Sequence, residues 1–388
     1  MNTDFHKIRR LPPYVFEQVN RTKAALRAQG ADIIDLGMGN PDMPTPEHIV
    51  DKLCETARRP DVNGYSASRG IKGLRRAVTN YYQRRFDVSL DMDREVIVTL
   101  GSKDVILSPD PSYPLHSFGF IIAGASIRSV PAHTPEEYLS NLSKAVKYCV
   151  PPPTAMVLCF PSNPTAEVCD LDFYKEAVKF ARKHDLIVLS DLAYNEIYFD
   201  EPTPSILQVD GAKDIAVEFT TMSKTYSMAG WRIGFVAGNE KLVGALGRVK
   251  SYLDYGAYTP IQGAAAAALD GPQDCVDEFR QIYRSRRDVL VESFTRAGWP
   301  IPSPKASMFA WAPIPEPLKE MGSLEFSLQL INEAHVAVAP GAGFGEQGDG
   351  HVRIALVENE QRIRQAARNI RKFLQSRGIK DIQPAAAE

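Results

Sequence analysis

The chain lacks an excess of charge of either sign. Its 45 lysines and arginines face 47 aspartates and glutamates, for a formal net charge of −2 over 388 residues. That balance offers no basic surface for nucleic acid or for an anionic membrane. No apolar run approaches the length of a bilayer span. Residues 1–7 are polar in character, so no signal peptide is expected. Cysteine is sparse: Cys54, Cys149, Cys159, Cys169 and Cys275 are scattered and form no C-x-x-C pair. Neither a zinc site nor a disulfide framework is suggested, and the thiols read as reduced, in a cytoplasmic protein. The seven histidines show no H-x-x-x-H or H-E-x-x-H spacing, so no metal is expected. Gly341-Ala-Gly-Phe-Gly345 lacks the full dinucleotide-binding spacing and reads as a loop.

What is present is ordinary in bulk and specific in pattern. Hydrophobic residues make up 44% and charged residues 24%, as in soluble globular proteins. The middle of the chain alternates short apolar runs with amphipathic stretches. Strands are expected at Glu95–Leu100, Val105–Leu107, Ser126–Val130, Ala155–Phe160, Leu186–Ser190, Ile215–Thr220 and Ile233–Ala237, with a helix at Leu171–His184. This pattern predicts an α/β fold, a mostly parallel sheet with helices on both faces. Helices at Glu240–Leu253, Pro260–Leu269 and Asp274–Ala297 follow. Strands near Ser307–Ala312 and His351–Leu356 and a helix at Glu325–Ala334 suggest a smaller α+β domain. The expected division is an arm (1–29) packing on that smaller domain, a large domain (30–270) and a small C-terminal domain (271–388).

Ligands of open parallel sheets sit beyond the carboxyl ends of the strands. Asp191 follows one predicted strand directly. Asn163 follows another in a Pro-Ser-Asn-Pro turn, and Lys224 lies a few residues beyond a third. Lys224 sits in Thr221-Met-Ser-Lys-Thr-Tyr-Ser-Met-Ala-Gly-Trp-Arg232. A single lysine is most often solvated surface; the reading rests on the set and its order. An amine can form a Schiff base with a carbonyl. A guanidinium and a hydroxyl suit a phosphate monoester. A carboxylate can keep a pyridine nitrogen protonated. Together these groups match pyridoxal 5′-phosphate.

With these residues in that order, from about Leu11 to Phe373, the sequence resembles the class I/II aminotransferases of fold type I. Within them it looks similar to the bacterial glutamate–pyruvate (alanine) transaminases. The resemblance implies Lys224 as the Schiff-base residue, Asp191 as partner of the pyridinium nitrogen, and Tyr194 and Asn163 as donors to the cofactor's phenolic oxygen. It implies Tyr113 stacked on the ring and Thr221, Ser223 and Arg232 at the phosphate, with Ser102 and Lys103 as backbone contacts. Tyr65 would reach the phosphate of a partner subunit, which implies a homodimer with shared active sites. Arg353 would clamp the substrate α-carboxylate, with Gly39, Asn163 and Tyr14 around the substrate. The family's Asn-Pro-Thr-Gly has Ala166 in fourth place here.

The activity so implied is ping-pong transfer of an amino group from an amino acid, by resemblance alanine, to a 2-oxo acid, by resemblance 2-oxoglutarate. Two alternatives stay open: LL-diaminopimelate or broad neutral amino acid transamination, and a C–S lyase on the same fold. A non-enzymatic regulator is disfavoured, because the chain has no spare length for a DNA-binding domain.

One segment departs from the pattern. Only Gly101-Ser-Lys-Asp104 separates two expected strands, where a parallel crossover needs a dozen or more residues. In the resembling family a helix follows Gly-Ser-Lys and offers its N-terminus to the phosphate. Two readings follow. Residues could be left out at the 103/104 junction, which would put Lys103 and Asp104 far apart, with both strands in one sheet and no hairpin. Otherwise the connection is truly short, giving a tight hairpin or nothing regular and a phosphate site without one wall.

Overall fold

The computed structural model describes residues 11, 15–99, 106–254 and 256–379. The elements in chain order are α1 (Val15–Ala28), β1 (Ile34–Asp35), α2 (Glu47–Ala57), α3 (Lys72–Phe86), β2 (Val96–Thr99) and β3 (Ile106–Asp110). Next come α4 (Leu115–Ala123), β4 (Ile127–Pro131), α5 (Pro135–Tyr148), β5 (Ala155–Cys159), α6 (Leu171–Lys183), β6 (Ile187–Asp191) and β7 (Ala216–Thr221). Then follow α7 (Met222–Thr225), β8 (Gly234–Gly238), α8 (Glu240–Leu253), α9 (Thr259–Asp270), α10 (Asp274–Arg296) and β9 (Phe309–Pro313). The last are α11 (Gly322–Gln329), β10 (Val336–Ala337), β11 (Ala339–Pro340), β12 (His351–Ala355) and α12 (Glu360–Ser376).

The local chemistry accounts for the helices. Asp170 caps α6 by accepting from Phe173 N at 2.8 Å, and Arg182 and Lys183 close its last turn against the negative end of the dipole. Asn359 caps α12, whose Ile363, Ala366, Ala367, Ile370 and Leu374 form one buried stripe at helical spacing. The glycine-rich segment expected as a loop folds into two short 3₁₀ turns, Gly341–Phe344 and Glu346–Gly348.

A seven-stranded sheet runs in the order β2-β8-β7-β6-β5-β3-β4. It is parallel except at β8, which is antiparallel to both its neighbours. A three-stranded antiparallel sheet, β11-β12-β9, forms a second centre with α10 and α12. α1 packs there through Val19 and Leu26 against Ile331, Leu324 and Leu328.

The two strands flanking the short connection lie in one sheet, first and sixth in order, and do not pair. The hairpin is therefore not formed. Both strands in one sheet without a hairpin is what the first reading expects; the 103/104 junction itself lies outside the described residues. Five strand spacings amount to about 24 Å. Seven Cα steps, from Thr99 to Ile106, reach at most about 23–25 Å. The six residues given between the strands, 100–105, are fewer than the dozen or more of a usual parallel crossover. One face of the sheet is thinly covered among the described residues. Parallel sheets are normally covered on both faces, yet Ile187 and Leu189 of β6 and Phe219 of β7 remain partly exposed on central strands. α4 covers one flank of that face through Phe120, and α8 the other through Val243.

Candidate active site

Register places the site on that same face. Cys159 of β5 stands opposite Asp191 of β6, and Asp191 opposite Phe219 of β7, so side chains two residues on, such as Thr221, share the face. All lie at the carboxyl ends of the parallel strands. Asp191 forms the floor. Its Oδ1 accepts from Ala193 N at 3.1 Å, and its Oδ2 meets His116 Nε2 at 2.8 Å. His116 Nδ1 in turn meets Ser112 Oγ at 2.7 Å. The Tyr113 ring stands edge-on to His116, with centroids 5.8 Å apart.

Lys224 sits on α7, immediately after β7. Its Nζ donates to Gly39 O at 2.7 Å and lies 5.9 Å from the centre of the Tyr194 ring. Burial, with Arg353 and Arg232 adding positive potential, lowers its pKa from 10.5 to about 8. Burial also pushes the Tyr194 phenol upward; Arg353 opposes the shift and Asp191 reinforces it. A testable consequence follows for the cofactor-free protein. Modification of Lys224 by an amine reagent should rise with pH through a midpoint near 8. A midpoint above 10, read by peptide mass mapping, would contradict this electrostatic account.

Arg353, on β12, is buried. Its Nη1 donates to Asn163 Oδ1 at 2.8 Å and its Nη2 to Gly37 O at 3.2 Å. Its guanidinium lies 4.0 Å over the Phe309 ring and 4.7 Å over the Phe344 ring. Gly39 is held to glycine by contact: a Cβ there would come 2.7 Å from the Phe309 ring. Thr221 Oγ1 caps α7 by accepting from Ser223 N at 3.1 Å and lies 2.9 Å from Ser223 Oγ. Arg232 is exposed, in the left-handed region at φ 56°, and donates to Ala229 O at 3.0 Å.

The structure thus brings together Lys224, Asp191, Tyr194, Asn163, Arg353, Gly39 and Tyr113, with Thr221, Ser223 and Arg232 at one rim. Tyr65 stands apart and is 93% exposed. Tyr14, Ser102 and Lys103 lie outside the described residues. Sequence reasoning missed His116, Phe309 and Phe344. Only His116 left a signal, three residues after Tyr113 in the first turn after a strand; the search for metal spacings passed over it. His116, Cys159 and Asp191 place one possible ligand atom each within 4.8 Å of the others. The 2.8 Å His116–Asp191 contact already gives that imidazole a partner.

The donor set fits a phosphorylated pyridine aldehyde. It has a buried amine with a depressed pKa, a carboxylate fixed on both oxygens, and hydroxyls beside an arginine.

Comparison with known proteins agrees. The chain matches the family Aminotransferase class I and II over residues 31–370. It is 61% identical to AatC of Rhizobium meliloti (strain 1021), over 96% of each chain. It is 52% identical to the glutamate-pyruvate aminotransferase AlaC of Escherichia coli (strain K12), over 97% of this chain and 95% of the relative. Among solved structures, substrate-bound BacF from Bacillus subtilis superposes with a TM-score of 0.90 at 32% identity, covering 96% of this chain and 98% of BacF.

Proposed function

Since the chain belongs to the class I and II aminotransferases, we propose that it moves the amino group of alanine to 2-oxoglutarate, giving pyruvate and glutamate. The observation that carries the reading is the buried Arg353–Asn163 pair beside Lys224, which suits an α-carboxylate next to a reactive amine. The choice of substrates follows the named activity of the 52%-identical relative. LL-diaminopimelate aminotransferases are more distant, at 40% identity for the one from Moorella thermoacetica.

The enzyme depends on pyridoxal 5′-phosphate. When bound, that group supplies an electrophilic carbonyl carbon and a ring that accepts the electron pair released from the substrate Cα. The residues divide the remaining work. Lys224 Nζ would hold the cofactor through its carbonyl carbon and would take and return the substrate Cα proton. Asp191 holds a proton on the ring nitrogen, and His116 and Ala193 N keep its carboxylate in place. Asn163 and Tyr194 donate toward the phenolic oxygen, and Tyr113 covers the ring. Thr221, Ser223 and Arg232 take the phosphate. Ser102 and Lys103 would add backbone donors there, and Tyr14 would close over the substrate. Arg353 orients the amino acid through its carboxylate, and a guanidinium does so bidentately.

The unit of function is a homodimer on this reading. Tyr65, Tyr252, Leu253 and Tyr258 are all exposed apolar side chains, and a second copy would cover such a surface. Tyr65 would then reach the partner's phosphate site. The domain division proposed is 1–29, 30–270 and 271–388. Among the described residues, no helix is long and apolar enough to cross a membrane, and the cytoplasm is the proposed location.

The test is pyruvate formation from alanine, with and without 2-oxoglutarate, and with ammonia measured in parallel. Pyruvate that depends on 2-oxoglutarate, with no ammonia, is expected. Ammonia and pyruvate released without 2-oxoglutarate from cystathionine, whose β-carbon carries a thiolate leaving group, would turn the assignment to a lyase. Activity confined to LL-diaminopimelate would move the substrate to that class.

A further inference from the structure

The segment 341–348 crosses from the three-stranded sheet to the end of β3. Ser112 N donates to Phe344 O at 2.8 Å, and Gln347 N donates to Asp110 Oδ1 at 3.2 Å. The backbone N–H of Glu346 faces the same carboxylate. Asp110 is buried and its backbone is fixed from behind, since Ala132 N donates to Asp110 O at 2.9 Å. The segment fits the carboxylate closely. Gly345 has φ +131°, and a Cβ on it would lie 2.0 Å from Asp110 Oδ1. Phe344 itself carries the first of these attachments, through its carbonyl oxygen. Its ring lies 4.7 Å from the Arg353 guanidinium and 5.1 Å from the Phe16 ring of α1. Gly343 is equally constrained, because a Cβ there would come 2.5 Å from Phe16.

We propose that Asp110 is a positioning residue for amino-acid binding: it holds residues 344–348 against β3 and thereby sets the Phe344 ring against the Arg353 guanidinium. The same short stretch, 110–116, also carries Ser112 and His116, which orient Asp191. One strand end thus fixes both the carboxylate clamp and the carboxylate at the ring nitrogen. The inference rests on the reading of Arg353 as the α-carboxylate clamp.

Two measurements test it. The first is independent of that reading: amide hydrogen exchange at 344–348. A carboxylate that accepts backbone N–H groups protects them, so Asp110→Ala should speed this exchange about tenfold or more. Asp110→Asn, which keeps the acceptor oxygen and the shape, should stay near wild type. The second measurement is kinetic. Asp110→Ala should raise KM for the amino acid about tenfold and change kcat by less than about threefold. Asp110→Asn should rescue KM. Gly345→Ala, which presses a methyl group into the carboxylate, should reproduce the raised KM if Asp110→Ala folds poorly. In an Arg353→Lys background, Asp110→Ala should add little, since the two act through one contact. Unchanged exchange in Asp110→Ala would overturn the attachment. Unchanged KM in Asp110→Ala, with KM raised in Arg353→Lys, would overturn the positioning role. Unchanged KM in Arg353→Lys would overturn the clamp reading itself, while the exchange result still decides the attachment.

Discussion

Replacing Lys224 with alanine is expected to abolish transamination while leaving the fold and the assembly state intact. The amine supplies two separable things. On the proposed reading it would attach the cofactor and would carry the proton taken from substrate Cα. Proton transfer by a positioned group alone typically contributes about 100- to 10,000-fold. No neighbour can take over. The other cation-bearing side chains that bear on Lys224 are Arg353 and Arg232, and guanidinium groups do not give up their proton in proteins. The structural cost should be small, because among the described residues the side chain makes one hydrogen bond, Nζ to Gly39 O. Removing a partly buried, partly neutral amine even relieves the desolvation that lowers its pKa. Intact mass after borohydride treatment should show the cofactor fixed to wild type and not to the variant. Light scattering should give the same size for both, that of a dimer. Wild-type turnover in Lys224→Ala would remove this residue from the chemistry, and a monomeric active wild type would contradict the shared site.

The sheet was legible because its strands are short apolar runs punctuated by turn residues. Each predicted strand of the large sheet falls within a few residues of an observed one, for example Ala155–Phe160 against Ala155–Cys159. Legible too was the collection of Asp191, Asn163 and Lys224 at one edge, since parallel strands put their carboxyl ends on one side. The position of β2 was not legible. It lies beside β8, more than a hundred residues away in sequence, and nothing local specifies that partner. The helices α2, α3, α4, α5 and α12 went unread as well. In α3 arginines break up the buried Leu74, Val78 and Tyr82, whereas α12 carries a continuous apolar stripe that the reading passed over. The Arg353–Asn163 bond spans 190 residues; family resemblance marked both residues, but their direct contact came only from the fold. His116, Phe309 and Phe344 act through rings and second partners, which no spacing rule encodes.

Lengthening the 100–105 connection by a helix-forming segment is expected to tighten cofactor binding and raise thermal stability together. The two effects share one cause. Ile187, Leu189 and Phe219 form a partly exposed apolar strip on central strands of a mostly parallel sheet, between the flanks covered by α4 and α8. An amphipathic helix laid there would bury that strip. Fully burying one such side chain is worth about 1.5–3 kcal/mol; three that are already partly covered should yield about 2 kcal/mol in all. For a protein of this size that corresponds to a rise in Tm of about 4–8 °C or somewhat less. The strip runs along the strands toward Asp191 and Thr221 on the same face. A helix whose N-terminus pointed at Thr221 and Ser223 would also present free backbone N–H groups and a positive dipole end to the cofactor's phosphate. Such a terminus contributes about 0.3–2 kcal/mol, up to roughly thirtyfold in affinity. The insert must supply a dozen or more residues to serve as a crossover, placed between Lys103 and Asp104 with apolar residues at helical spacing. Titration of the cofactor-free protein with pyridoxal phosphate, beside thermal unfolding, measures both effects. A flexible glycine–serine insert of equal length is the control, since it removes any limit on reach without covering the strip. If the helical and flexible inserts behaved alike, reach rather than the bare face would be what the short connection costs. If neither changed affinity, the phosphate site would be complete without that wall.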